Sequence, residues 1–446
     1  MNLQFDPTIL GLVIAGGVLA HLMLAASARF LNPLITLIGI FFFVAPWAAA
    51  VIPGAEALKY GRLYLSLLAV IVAVVVQRHF KMNFAAIMLM AFLGYYWLAA
   101  IWSSNPMGGL QFKAMVIPVA LMGAMCVSAF KSERDLTTAM RVFAVCSLLF
   151  LLPAMANLAT KGITLVMGGR FAPFGLNSNR LGHECASMLI ICMPIALYDR
   201  NIRWKVFAYG VGTMAAVCVL ASGSRAAVGQ SVIAALLMGL PMLKRPFLPL
   251  SLGLVSAVIL WAVMPSGAEQ AYDRYTSINF ANRAGMWSYA TEQFLTSPII
   301  GTGWVYDDAN RASGATANLH SIYFQVLAEL GIIGIVFFGA TIVVGFVGYL
   351  RLWRLARQHG IQTRWVFTGA AFAAAALAHG LAESSTLLPG TINLLLLGMG
   401  FAMLGPLREM VMNRTLGEAA PAEGWGGDDA DEHDAYADYG HDARPA

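Results

Sequence analysis

The chain has 446 residues, of which 59% are hydrophobic and only 11% charged, with a mean hydropathy of +0.71; a soluble domain carries about 25% charged residues. That balance excludes a water-soluble globular enzyme. The formal net charge of +5 conceals an acidic end, since Glu418 to Ala446 holds nine acidic residues against Arg444 alone, and no nucleic-acid partner is expected.

A transmembrane helix needs about 20 apolar residues to cross about 30 Å of hydrocarbon. Such runs recur along almost the whole sequence and predict an all-α polytopic integral membrane protein of about 12–13 transmembrane helices, with the lipid bilayer as its solvent. The opening "MNLQFDP" lacks a basic segment and no small-residue cleavage site follows, so the first span is expected to insert and stay. Candidate spans fall near 8–27, 33–52, 62–77, 84–103, 110–130, 138–157, 183–199, 204–222, 226–243 and 246–264, then near 321–350, 365–383 and 388–405. The expected organisation is a transmembrane bundle over 1–264, a large periplasmic loop with amphipathic helices over 265–320, further transmembrane helices over 321–407, and an acidic disordered tail over 408–446. No internal repeat is visible.

Short loops rich in Lys and Arg face the cytoplasm. "QRHFK" (77–81), "KSERDLTTAMR" (131–141), "DRNIRWK" (199–205), "LKRP" (243–246) and "RLWRLARQHGIQTR" (351–364) alternate with less basic segments. The C-terminus is then cytoplasmic, and 158–182, 222–226, 265–320 and 383–388 share the outer face. Thirteen spans would put the N-terminus outside.

Five cysteines (Cys126, Cys146, Cys185, Cys192, Cys218) lie within apolar segments without metal-ligand spacing and are expected as buried thiols. No histidine has a second histidine or cysteine at helical ligand spacing, so no metal is expected. The acids of "DDAN" (307–310) would suit a metal-dependent glycosyltransferase but are equally ordinary loop acids.

An ionisable group near hydrocarbon is costly and usually has a task or a partner. On the outer face these groups are Arg170 and Arg180 in "GRFAPFGLNSNRLGHE", Arg225 in "SGSRAA", Arg283 in "NRAGMW", and His320 in "NLHS". Arg225 follows only "SGS" between two spans; it is either a snorkelling interfacial anchor or part of an anion site, where a guanidinium fork matches phosphate oxygens. Arg283 lies on "NRAGMWSYATEQFL", which has an amphipathic helical period. His320 opens a helix at the end of the one long outer loop. Glu329 and Glu383 are expected to pair structurally with arginines inside the bundle.

Four segments together resemble the O-antigen ligase and polymerase superfamily of bacterial envelopes. They are "FGLNSNRLG", "SGSRAAVGQS", "NRAGMWSYATEQFLTSPIIGTGW" and, most specifically, "NLHSIYFQVLAELGIIG". The resemblance covers residues 170–345 and implies an inner-membrane glycosyltransferase whose site faces the periplasm and needs no cofactor. It implies that His320 is the essential periplasmic histidine, that Arg225 is the essential arginine beside the long loop, and that Arg283 is the arginine of the loop helix. Arg170 and Arg180 match less firmly.

Such an enzyme moves a glycan from an undecaprenyl pyrophosphate donor to a sugar hydroxyl, with inversion. Arginines would stabilise the leaving pyrophosphate, and His320 would draw the proton from the acceptor. Two activities share that chemistry: ligation to the lipid A–core acceptor, and polymerisation on the lipid carrier. The single moderate loop and the "NLHS" entrance favour the ligase, acting as a monomer. A transporter of an anionic substrate is the alternative from another class, against which no inverted repeat and no Gly/Pro-broken spans in matching halves are seen.

Overall fold

The computed structural model describes residues 82–114, 116–128, 130–161, 170–173, 177–242, 281–305, 319–359, 361, 363–387 and 391–415. The expected spans at 8–27, 33–52, 62–77 and 246–264 fall outside these residues, as do most of the long outer loop and the tail from 416.

Among the described residues the regular structure is helical throughout. We number the helices α1 (Phe84–Leu98), α2 (Pro106–Lys113), α3 (Val116–Ser128), α4 (Glu133–Lys161), α5 (Ser178–Tyr198), α6 (Ile202–Ala221) and α7 (Arg225–Gly239). After the undescribed stretch come α8 (Ala281–Thr296), α9 (Ile322–Gln358), α10 (Arg364–Gly380), α11 (Ile392–Ala402) and α12 (Leu404–Thr415). Among the described residues eight stretches are long and apolar enough to cross a membrane, and several unite neighbouring elements: Phe84–Trp102, Pro106–Ser128 and Ile392–Arg414 each count as one. This is an all-α polytopic membrane protein. α12 carries the helix past residue 407, where hydropathy alone set the start of the tail.

Local chemistry sets the helix boundaries. Asn83, Asn105, Asn177, Asn201 and Thr391 each cap a helix N-terminus with a side-chain oxygen, satisfying amides that have no partner within the helix. Small residues permit the closest approaches. A Cβ on Gly398 would lie 2.2 Å from the Ala120 carbonyl, and one on Gly123 would lie 2.5 Å from the Leu395 carbonyl. With no hydrophobic drive between helices in lipid, such close backbone packing is what holds them together. The five cysteines are buried and form no disulfide.

Helix ends collect at two polar poles. At one, Arg364 and Arg414 share the Glu133 carboxylate and Arg141 donates to Asp199 from Nε and Nη2, at 2.8 and 2.7 Å. The ends of α4, α5, α10 and α12 are thereby tied together. The opposite pole gathers the starts of α5, α7 and α9 with the end of α10, and it is where the outer-face residues meet.

α9 departs from a simple span. Gly331 has φ 60 and ψ −156, which breaks the helix into an arm, Ile322–Leu330, and a long distal part. The segment 297–304, "SPIIGTGW", fills the break. Thr302 and Gly303 amides donate to the Ala328 and Glu329 carbonyls, while Ile332 and Ile333 amides donate to those of Pro298 and Ile299, all within 2.8–3.1 Å. Backbone groups freed by a broken helix must be satisfied by protein at membrane depth, and this inserted loop does so. The hydropathy pattern gave no sign of the break.

Candidate functional site

Glu383 is the hub of the outer pole. It follows α10 and is buried, with 5% of its surface exposed. Its Oε1 accepts from Asn179 Nδ2 at 3.0 Å and from Arg283 Nη2 at 3.3 Å. His320 Nδ1 lies 3.1 Å from its Oε2. Three segments far apart in sequence therefore converge on one carboxylate.

The elements that deliver these groups are distinct. Asn179 stands in the first turn of α5, under the Asn177 cap. Arg283 comes from the first turn of α8, which packs on the α9 arm through Ala290, Val305, Leu319 and Ala328. Trp287 stacks on Phe324 with ring centroids 5.1 Å apart. His320 precedes the arm with φ 50, the one non-glycine residue with positive φ among the described residues. Backbone held in that region costs of order 1–3 kcal/mol and marks sites where the surroundings over-determine the conformation. Its ring is partly exposed, at 28%, beside a carboxylate at 7%.

With a carboxylate facing Nδ1, that nitrogen carries the proton and Nε2 becomes the basic one. An imidazole paired with a carboxylate in this way has the chemistry to abstract a proton.

The arginines divide. Arg170 donates from Nε to the Ser222 carbonyl at 2.9 Å and from Nη2 to Asn179 Oδ1, so it joins the Glu383 network through Asn179. The neighbouring Phe171 amide bonds the Ala221 carbonyl, fixing this strand of chain to the end of α6. Arg180 is held by Glu184 on its own helix at 2.9 Å. Arg225 is the first residue of α7, adjoining the 222–224 turn that receives Arg170. The starts of α5 and α7 touch here: a Cβ on Gly182 would lie 2.6 Å from Ser222 Oγ and from Ser224 Cβ. All five residues singled out in the sequence thus lie at one pole. Of the four arginines there, Arg283 pairs with Glu383 and Arg180 with Glu184.

Two roles differ from expectation. Glu383 does pair with an arginine, but its second oxygen faces the histidine, so it belongs to the candidate site and not only to the scaffold. Glu329 pairs with Lys113, not with an arginine. Sequence reasoning passed over Asn179 although it lies within "FGLNSNRLG". Its only signal was a polar residue two positions past a helix cap. His183 and His379 lie beneath the site as a buried ring pair, centroids 5.1 Å apart, and His379 Nδ1 sits 3.3 Å from Thr386 Oγ1. Among the described residues no group of three or more His, Cys, Asp or Glu side chains is placed to hold a metal ion. Asp307 and Asp308 lie outside the described residues.

A multi-span helical membrane protein with a histidine–carboxylate pair among arginines at one pole is the class that fold and site define. Residues 210–339 match a family model described as O-antigen ligase. The match spans less than a third of the chain and supports the resemblance to the O-antigen ligase and polymerase superfamily that the four motifs implied. The matched stretch contains Arg225, Arg283 and His320, whereas Arg170, Arg180 and Glu383 lie outside it. No curated protein matches the chain.

Proposed function

We propose that this chain is an O-antigen ligase of the bacterial inner membrane, joining a glycan from undecaprenyl pyrophosphate to the lipid A–core oligosaccharide at the periplasmic face. The observation that carries this reading is the His320–Glu383 pair set among Arg170, Arg180, Arg225 and Arg283. A base and an anion site are what the transfer requires, and this reading sets both at the membrane edge, where a lipid-linked donor meets an acceptor.

In the reaction, His320 Nε2 takes the proton of the acceptor hydroxyl as its oxygen attacks the anomeric carbon. The bond from that carbon to the phosphate oxygen breaks, and the pyrophosphate leaves on its lipid with the electron pair. Direct displacement inverts the configuration. Glu383 holds the ring in the productive tautomer and offsets the imidazolium charge, as the carboxylate does in other histidine-based sites. Arg283 and Arg225 meet the charge growing on the leaving group, with Arg170 and Arg180 supporting them. Pyrophosphate needs no general acid to depart, and preorganised guanidiniums supply the stabilisation.

The test is a reconstituted reaction in detergent: purified protein, undecaprenyl-pyrophosphate-linked glycan and a rough lipopolysaccharide acceptor, with chelator present and His320→Ala in parallel. Glycan appearing on the acceptor with wild type alone supports ligation by a histidine base. Glycan lengthening on the lipid carrier would make the protein a polymerase using the same site. Equal transfer by His320→Ala would overturn the proposed mechanism.

A further inference from the structure

A second polar cluster lies deep in the bundle and plays no part in the chemistry above. Lys113 closes α2 and is fully buried, as is Glu329 on the α9 arm. Lys113 Nζ donates to Glu329 Oε2 at 2.5 Å and to the Tyr96 carbonyl at 3.2 Å. It also stands 3.9 Å from the centre of the Tyr96 ring. Gln325, one turn before Glu329, donates to Tyr96 Oη at 2.8 Å and to Glu329 Oε1 at 3.1 Å. A charged pair this deep in a membrane protein is retained at a cost, and a well-packed apolar pair would often be as stable. Stability alone therefore gives little reason for its presence.

Its location supplies one. The arm Ile322–Leu330 carries His320 just ahead of its first turn and Glu329 just before the break at Gly331. About 10 Å of helix separates the arm's first residue from the clamped carboxylate. The Glu329 carbonyl also accepts the Gly303 amide, so the same residue fastens the loop that leads back to α8 and Arg283. Trp304 of that loop stacks on Phe112, beside Lys113 in α2, at 5.6 Å. One residue thus joins the histidine arm, the arginine helix and α2.

We propose that Lys113 and Glu329 are positioning residues: their ion pair clamps the α9 arm and its inserted loop, and so holds His320 and Arg283 in register around Glu383. The inference rests on the proposed transferase reading for its kinetic consequence, and on the fold alone for the clamp. Misplacement of a reacting group by about 1 Å costs on the order of 10²-fold in rate. Loss of the clamp acts on turnover, leaving donor affinity, which is spread over several arginines, largely in place.

The experiment compares Lys113→Met, Tyr96→Phe and the double variant Lys113→Met/Glu329→Gln with wild type. The double variant leaves no unpaired buried charge. Transfer kinetics and hydrogen–deuterium exchange of segments 299–305 and 319–330 are read together. The clamp predicts faster exchange in both segments for all three variants, least for Tyr96→Phe. It also predicts kcat lowered about 10–10²-fold in the double variant with donor KM little changed, even where its thermal midpoint equals wild type. A double variant with wild-type kcat and wild-type exchange would overturn the proposal. If wild type itself shows no transfer, the transferase reading has failed, and exchange alone decides the clamp: unchanged protection in the variants sinks it, and faster exchange upholds it.

Discussion

At the scale of single residues, the outer pole turns on one carboxylate that serves a guanidinium, an imidazole and an amide. Substituting Glu383→Gln keeps the size but removes the charge that orients His320 and offsets its imidazolium. General base catalysis contributes about 10²–10⁴-fold, and loss of the orienting carboxylate falls in that range. Steady-state kinetics should show kcat down by about 10²–10⁴-fold with donor KM not raised, because Arg283 is released from its partner at the same time. Arg283→Lys tests the other half of the site. A lysine keeps the charge and loses the fork, and one hydrogen bond to a charged group contributes about 1.5–3 kcal/mol. The expected result is a fall of about 10–10²-fold in kcat/KM for the donor, with excess pyrophosphate inhibiting the variant less than wild type. Of these residues the sequence exposed the rare cations and the histidine, because an ionisable group in an apolar neighbourhood stands out. It hid the second role of Glu383 and any role of Asn179, because a polar residue at a helix end looks the same whether it caps, packs or orients.

At the scale of elements, the broken α9 and the loop 297–304 explain why glycines recur in "PIIGTGW" and "ELGIIG". Gly301, Gly303 and Gly331 all have positive φ, and a Cβ on Gly301 would lie 2.3 Å from the Glu329 carbonyl carbon and the Leu330 nitrogen. Those neighbours are backbone and cannot turn away. A left-handed residue other than glycine costs about 1–2 kcal/mol before any clash is counted, so Gly301→Ala should lose well over that amount. A fluorescence-detected melt in detergent should show a clear drop in midpoint, or a failure to purify as a monodisperse peak. Gly229→Ala in α7 is the control, since nothing lies within 4 Å of the added carbon and helix propensity favours alanine by about 1 kcal/mol. Its midpoint should hold or rise. Hydropathy placed 84–103 against Phe84–Trp102 and the start of α9 within a residue, but it ended that span at 350 where the helix runs to Gln358. It missed the break because a glycine in a long apolar run reads the same whether the helix continues or parts around an inserted loop.

At the scale of the whole molecule, the two poles carry different chemistry, and their assignment to membrane sides is open to a direct check. The basic loops flanking Glu133, Asp199 and Arg364 meet at the pole opposite the site, and the positive-inside tendency predicts that this pole faces the cytoplasm. Alternation of charge along the sequence was enough to anticipate that 158–182, 222–226, 265–320 and 383–388 lie together, and Arg170, Arg225, Arg283, His320 and Glu383 do gather at one pole. What charge alternation could not supply was which of these groups bond to which, since that depends on how helices rotate about their axes. The native cysteines are all buried, so single exposed cysteines can be introduced without removing them. Ser288→Cys sits on the exposed side of α8 near the site, and Arg203→Cys is exposed in the first turn of α6 at the other pole. A membrane-impermeant maleimide, applied to cells with a permeabilised outer membrane, should label Ser288→Cys at once and Arg203→Cys only after the inner membrane is opened. The reverse order would put the histidine–carboxylate pair in the cytoplasm, away from the acceptor. Labelling of the unsubstituted chain would mean that at least one of its cysteines lies in open water and not in the packed interior between helices.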